Sequence, residues 1–294
     1  MQTNTYFYRV AGFLFSVTLP AKYNILKLLP SFVPFRCERK EGEPLLFTFT
    51  AVEELPKRGE VMWQEDAEND FGYTTLMKVG EEYRCQIHFT TKGRVHEMAC
   101  NADLSEVQAV LHWDDAYLDS VLSSMLRIVF SQAILPYGGI SLHASVVSVD
   151  GKGYLFMGKS GTGKSTHSAL WVENIPKAEL LNDDNPVIRY INGNVVVYGS
   201  PWSGKTPCYR NLSYRVGGLV RLRQAPQNEF HKKQDVTALI QVLPGCSVIR
   251  RDVRLYNVLC DTLTKVIQKV PVGLLDCLPN AEAAICCHKG LAEA

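Results

Sequence analysis

One stretch constrains this chain more than any other. Gly158-Lys159-Ser160-Gly161-Thr162-Gly163-Lys164-Ser165 fits the spacing G-x-x-x-x-G-K-[ST] without deviation. It follows the apolar run Tyr154-Leu155-Phe156-Met157 and precedes a helix-like segment from Lys164 to Trp171. Strand, glycine-rich loop and helix in that order are the context a phosphate-binding loop requires. The glycines let the backbone turn tightly and aim successive N–H groups inward, and the helix N-terminus adds partial positive charge. Gly158 through Ser165, with Thr166 opening the helix beyond them, are the expected nucleotide-binding residues. In such a loop Lys164 reaches the β- and γ-phosphates, and the Ser165 hydroxyl takes one position on Mg²⁺, a cation that keeps several waters and needs few protein ligands.

At 294 residues the chain is long for one ordinary domain, which predicts a large domain with a smaller companion. Its 31 basic and 30 acidic residues leave a net charge of +1, so no basic field points to nucleic acid. The start, Met1-Gln2-Thr3-Asn4-Thr5-Tyr6, lacks the regions of a signal peptide. No apolar run approaches the ~20 residues of a membrane span. The expectation is a cytoplasmic protein with no membrane partner. Nine cysteines without a C-x-x-C pair, two of them adjacent as Cys286-Cys287, read as reduced and mostly buried thiols.

Residues 1 to 113 alternate apolar or aromatic runs with breaks, as in Phe7 to Leu19, Leu45 to Ala51, Gly72 to Val79 and Tyr83 to Thr90, and so predict a β-rich N-terminal domain. Leu26 to Leu29 reads as a short helix, and Asp66 to Asp70 as a solvated loop. His88, His96 and His112 lack metal-ligand spacing and read as surface or core residues. Asp114 and Asp115 open a stretch with helical periodicity, Leu118, Val121, Leu122, Met125, Leu126, Val129 and Phe130, which should stop near Pro136 and pack on the domain that follows. This places the domain boundary at 113 and the nucleotide domain at 114–294.

In that second domain Ile140 to Val149 reads as a strand, Asp150-Gly151 as a hairpin turn, and Gly153 to Met157 as the strand entering the glycine loop. A turn centred on Asp150-Gly151 sets His143 opposite Gly158; centred one residue later, it sets His143 opposite Ser160. Either register puts an imidazole beside the loop, where it can move a proton or hold an anion. Glu179 to Asn182 reads as a strand ended by Asp183-Asp184 before Pro186. A strand-end carboxylate about twenty residues after a phosphate loop is where P-loop enzymes hold Mg²⁺ and orient the attacking group. Because neighbouring side chains on an extended chain face opposite ways, one aspartate can face metal and the other an acceptor hydroxyl. Asn192-Gly193 signals another hairpin, and the loop Gly199 to Thr206 brings Trp202 and Lys205, whose cation is placed to neutralise charge on a transferred phosphoryl group. Arg210 is a weaker candidate of the same kind. A strand at Leu219 to Leu222, helices at Gln234 to Val242, Arg251 to Lys269 and Ala281 to Leu291, and a strand at Val272 to Leu275 complete an α/β reading with a mixed sheet.

The combination of Leu142-His143-Ala144-Ser145, the Asp150-Gly151 turn, Gly158 to Ser165 and Leu181-Asn182-Asp183-Asp184-Asn185, in that order, resembles the kinase domain of HPr kinase/phosphorylase. That family phosphorylates a serine on a small phosphocarrier protein, and its P-loop domain is similar to the core of phosphoenolpyruvate carboxykinase. The resemblance covers about residues 140 to 191. It implies His143, Lys164, Ser165, Asp183 and Asp184 as the matching catalytic positions, with Asp183 as the base and Asp184 as the metal ligand. The chain departs from the family after the paired aspartates: the glutamate- and arginine-containing signature and the basic loop for phosphorolysis have no match, and Trp202 to Lys205 occupies that region. The resemblance is thus to a divergent HPr-kinase-like protein with a different acceptor.

The leading expectation is an ATP- and Mg²⁺-dependent kinase transferring phosphate to a hydroxyl of a protein, a peptide or a small molecule, with Asp183, His143 and Lys205 catalytic and Ser165 and Asp184 on the metal. Two alternatives stand beside it: a nucleotide-sensing module with little turnover, and a carboxykinase-like lyase. The intact Lys164, Ser165, Asp183 and Asp184 favour catalysis over sensing, and no additional His/Asp cluster for a second metal accompanies them, against the lyase. The acceptor and any homo-oligomer are left open by the sequence.

Overall fold

Alternating apolar and polar positions make strands where one face is buried, because successive side chains on an extended chain point to opposite faces. The computed structural model describes residues 2–57, 59–69, 72–204 and 206–293. The chain divides into two units, Met1–Ala133 and Ile134–Ala294. The first holds strands β1 (Thr3–Val10), β2 (Phe13–Pro20), β3 (Arg36–Cys37), β4 (Thr48–Ala51), β5 (Val61–Asn69), β6 (Gly72–Val79), β7 (Glu82–His88), β8 (His96–Cys100) and β9 (Glu106–Val110). They form one sheet in the order β3-β1-β2-β4-β9-β8-β7-β6-β5. The expected short helix is α1 (Ile25–Leu28), opened by Asn24, whose side chain accepts the Leu26 N–H. Helix α2 (Leu118–Ala133) buries Val121, Leu122, Met125, Leu126, Val129 and Phe130.

Two features of this unit differ from the sequence reading. The boundary falls after Ala133 rather than at 113, so α2 belongs to the first unit. The reason is packing: the Phe130 ring meets Phe13 and Phe15 edge-on, and Phe15 stacks on Phe47. Buried side chains of this size contribute about 1.5–3 kcal/mol each, and periodicity says only that a helix has an apolar stripe, not which sheet receives it. Of Asp66 to Asp70, expected in a solvated loop, Asp66 to Asn69 are the end of β5 and Asp70 lies outside the described residues; Asp66 lies opposite Thr75, whose hydroxyl donates to it at 2.6 Å. As the last strand of the sheet, β5 has one side open to water, where acidic residues are tolerated and discourage further pairing.

The second unit contains strands β10 (Gly139–Ser141), β11 (Ala144–Val149), β12 (Lys152–Met157), β13 (Glu179–Asp184), β14 (Val187–Ile191), β15 (Asn194–Tyr198), β16 (Ser213–Gln224), β17 (Glu229–Lys233) and β18 (Val272–Cys277). Its helices are α3 (Lys164–Asn174), α4 (Asp235–Val242), α5 (Val253–Ile267) and α6 (Ala281–Ala292). The sheet runs β10-β14-β15-β16-β12-β11-β13, and β16 is long enough, at 12 residues, to pair with β15 through its first residues and with β18 through its last. The sequence reading finds only the apolar middle of β16, and misses β17, a polar strand held on β18 by antiparallel pairing. Strands β12, β16 and β18 are parallel, so their carboxyl ends share one edge, the edge at which open α/β sheets bind ligands.

Both hairpin signals form two-residue turns, with φ of 45° and 78° at Asp150 and Gly151 and of 48° and 78° at Asn192 and Gly193. The first sets Val149 opposite Lys152 and Ala144 opposite Met157. Continued by one residue, that register sets His143 opposite Gly158, the first of the two expected. The single strand expected over 140–149 is broken at Leu142 and His143, because the chain changes partners there: β10 pairs with β14, whereas β11 lies between β12 and β13. The two linking residues donate their N–H groups to Pro186 and Gly245.

On one face of this sheet Val220, Leu222 and Phe156 pack with Trp171 and Ile175 of α3 and with Ala283, Cys287 and Leu291 of α6. Arg221 points to the other face by strand alternation and donates from Nε to the Gln241 carbonyl of α4 at 2.7 Å, so helices cover both faces. Trp171 is fully buried, and truncating a side chain of that size to alanine costs about 3–5 kcal/mol. Asn280 caps α6 by accepting the Ala283 N–H at 3.1 Å.

Candidate functional site at the glycine-rich loop

The loop leaving β12 is shaped by positions only glycine fills easily. Gly161 and Gly163 have φ of 78° and 102°, in the left-handed region. At Gly158 a Cβ would lie 3.0 Å from Thr162, which is itself folded back, its hydroxyl donating to the Lys159 carbonyl at 2.7 Å. The loop's tip is tied to the neighbouring parallel strand, since Gln224 at the end of β16 donates from Nε2 to the Gly161 carbonyl at 3.4 Å. Gln224 is a contact the sequence reading did not single out. Lys164 arches over the turn and donates from Nζ to the Gly158 carbonyl at 3.2 Å. Helix α3 starts at Gly163, which offers no side-chain cap, so the first N–H groups of the helix point toward the loop mouth. Lys159, Ser160, Ser165 and Thr166 are exposed.

Behind the loop α3 is fastened by buried polar pairs. Ser168 donates to the Ser145 hydroxyl of β11 at 2.7 Å. His167, lying edge-on to Phe156, accepts the Trp171 indole N–H on Nε2 at 3.0 Å. Burial holds His167 neutral, lowering its pKa to about 4. The imidazole therefore acts here as a packed hydrogen-bond acceptor, and it fixes the helix that presents Lys164 and Ser165.

At the end of β13 the two aspartates face different neighbours. The Ser165 hydroxyl donates to the Asp183 carboxylate, at 3.0 and 3.1 Å from its two oxygens. Asp183 is only 4% exposed. Asp184 turns the other way: its Oδ1 lies 3.5 Å from His143 Nδ1, and the two side chains are 22% and 42% exposed. The Asn185 amide donates to the other Asp184 oxygen. Asp184 has φ of 154°, a conformation L-residues rarely adopt, and is held in it by a bridge to Ser203. His143, Lys164, Ser165, Asp183 and Asp184, scattered over three segments of sequence, are thus gathered at the ends of β11, β12 and β13.

The segment after β15 closes against these carboxylates through a buried polar knot. Asn182, fully buried, donates from its amide to the carbonyls of Trp202 (3.0 Å), Ser200 (3.4 Å) and Cys208 (3.4 Å). Its amide oxygen accepts the Asn185 N–H at 3.0 Å, and the Ser200 hydroxyl donates to the Asn185 carbonyl at 2.6 Å. Trp202 is buried. The Gly204 N–H donates to the Asp183 carbonyl, and a Cβ at Gly204 would lie 2.9 Å from that oxygen. Cys208 points its thiol at the Leu181 carbonyl, 3.3 Å away, and burial raises its pKa. Lys205, an expected catalytic cation, lies outside the described residues. Arg210 is paired with Glu179 at 2.7 Å, at the far end of β13 from the aspartates.

Two aspects of the chemistry are set by this donor set. A hydroxyl and a carboxylate in contact are hard oxygen ligands of the kind Mg²⁺ accepts alongside phosphate and water. Among the described residues no group of three or more His, Cys, Asp and Glu converges to hold a metal ion. The nine cysteines are free thiols, five of them buried. In the first unit His88 and His112 bond backbone carbonyls, and His96 is buried against Asp115. Among the described residues no helix is long and apolar enough to cross a membrane.

No protein-family model matches the chain, and no curated protein matches it in sequence. Among solved structures it is similar to the HPr(Ser) kinase/phosphatase from Coxiella burnetii, at 13% identity and a TM-score of 0.32, over 52% of this chain and 88% of that one. That is a distant likeness of fold.

Proposed function

We propose that the second unit binds Mg-ATP on the Gly158–Ser165 loop and transfers the γ-phosphate to a hydroxyl acceptor. The observation that carries this reading is the Ser165–Asp183 hydrogen bond with the His143–Asp184 pair directly beside it. Phosphoryl transfer needs little beyond a charged cradle, a metal and a positioned nucleophile, and this edge of the sheet offers residues for each. The loop N–H groups and Lys164 bind and orient the phosphates. Ser165 and Asp183 would hold Mg²⁺, which neutralises charge on the phosphates. In P-loop enzymes the loop serine and a strand-end aspartate share that cation.

The geometry therefore supports the reverse of the division of labour that the family resemblance implies. Asp183 is buried and engaged by Ser165, which suits the metal side. Asp184 and His143 are the partly open pair, the side an acceptor can reach. On this reading the acceptor hydroxyl gives its proton to Asp184, and His143 orients that carboxylate or relays the proton onward. General-base assistance of this kind contributes ~10²–10⁴-fold.

The test is γ-labelled ATP with Mg²⁺ and native extract, run with the parent and with Lys164→Ala. Label appearing on an acceptor only with the parent supports the kinase reading. Tight Mg-ATP binding with no labelled acceptor and no phosphate release would leave a nucleotide-sensing module instead.

A further inference from the structure

Asn182 does more than fill the core, because its amide nitrogen holds one loop while its amide oxygen holds the backbone beyond the aspartates. Its nitrogen reaches three carbonyls spread over Ser200 to Cys208, and its oxygen takes the N–H of Asn185, just past the two aspartates. A fully buried amide with this many partners is costly to disturb, since each partner stripped of its bond is left unsatisfied. The Ser200 hydroxyl closes the ring by donating to the Asn185 carbonyl. From the loop side the fit is equally close: Gly204 touches the Asp183 carbonyl and leaves 3.3 Å between a would-be Cβ and that of Asp184.

We propose that Asn182 is a positioning residue that locks residues 199–204 and 206–208 across the strand-end carboxylates, making these residues a fixed wall of the acceptor subsite rather than a lid that opens and closes. The proposal rests on the phosphotransfer reading. Asn182 itself touches no reacting group; it acts by fixing where the wall stands relative to Asp184, and with it the room left for an acceptor hydroxyl. The buried segment near Trp202 and the tethered Cys208 thiol belong to the same lock. A lock of this kind governs transfer and leaves the phosphate cradle alone, because the cradle is built from the β12 loop and α3.

Two readouts decide it. The rate at which N-ethylmaleimide labels Cys208, followed by peptide mass spectrometry, reports opening of the wall without reference to activity. Transfer from γ-labelled Mg-ATP to native extract, beside Mg-ATP affinity, reports the consequence. Asn182→Leu should speed Cys208 labelling at least ~10-fold and slow transfer at least ~10-fold, with Mg-ATP affinity kept within about threefold, whereas Ser131→Ala, at a buried serine of α2 in the first unit, should change none of these. Gly204→Ala disturbs the wall from the other side with the strand intact, is expected to give the same pattern, and decides the matter if Asn182→Leu does not fold. Cys208 labelling at the parent rate in the folded variant overturns the lock, as does a transfer loss matched by an equal loss of Mg-ATP affinity. If the parent itself transfers no phosphate, the kinase reading falls, and Cys208 labelling alone decides whether the wall is locked.

Discussion

Each unit of this protein contains a histidine beside an aspartate, and the two pairs have opposite characters. In the first unit His96 Nε2 lies 3.1 Å from Asp115, and its Nδ1 accepts the His112 N–H at 3.3 Å, so both ring nitrogens are spent inside a side chain that is 0% exposed. Burial lowers the His96 pKa against the opposing pull of Asp115, while backbone and His96 hydrogen bonds lower that of Asp115. In the second unit His143 and Asp184 meet at a looser 3.5 Å, half-open to solvent, next to a phosphate-type loop and a second carboxylate. The same two residue types are therefore spent inside the fold in one place and stand open to solvent beside a glycine-rich loop in the other. What separates them is the backbone around them: His96 sits inside the regular strand β8, whereas His143 sits where the chain leaves β10 and enters β11 and changes hydrogen-bond partners.

The contrast can be broken most forcefully at the loop. On the proposed reading Lys164→Ala removes the cation that would meet the phosphates, and should lower transfer by on the order of 10³ while thermal stability is preserved, measured by labelled transfer and calorimetry. A folded variant with parent activity would overturn the role proposed for the loop lysine. Next come the carboxylates. Asp184→Asn should lose on the order of 10² in transfer with Mg-ATP affinity held, and Asp183→Asn should instead raise the Mg²⁺ concentration needed for activity. The opposite outcome would restore the assignment that the family resemblance implies. Since the two carboxylates are adjacent and can titrate together, nucleotide titration and single-turnover transfer on both variants are the measurements, rather than a pH profile.

Smaller effects sharpen the comparison of the histidines. His143→Ala should slow transfer about tenfold with a stability loss under about 1 kcal/mol, and His96→Ala should do the reverse, costing about 2 kcal/mol in denaturant unfolding by stripping a buried partner from Asp115 and from the His112 N–H. Similar stability losses from both would erase the distinction. The least effect is a pH slope in stability. His167 has a folded pKa near 4 against an ordinary 6.5, so the unfolded chain takes up a proton first as pH falls; the stability is complete above 6.5 and declines between 6.5 and 4. At one pH unit below the unfolded value the loss should be about 1.4 kcal/mol. His96, shifted the same way by burial, adds to it in the first unit. His167→Gln should flatten the slope in the second unit, as followed by urea unfolding at several pH values.

Local sequence determined the parts of this protein whose causes are local. The Gly158–Ser165 spacing marks a loop between a strand and a helix because glycines at 161 and 163 are needed for positive φ. Asp150-Gly151 and Asn192-Gly193 specify their hairpins for the same reason, and the first of these turns puts His143 beside the glycine loop in either register, with the structure choosing the one opposite Gly158. Periodicity marks α2 as a helix. Only the tertiary structure decided that α2 packs in the first unit, that polar segments such as β5 and β17 complete sheets, and which way each of two adjacent aspartates turns. Nothing local in the sequence signals the tethering contacts of Asn182 and Gln224, since these reach carbonyls 18 to 26 and 63 positions away. Backbone conformation responds to the residue that adopts it, whereas a hydrogen bond across a fold depends on what the rest of the chain brings within 3.5 Å.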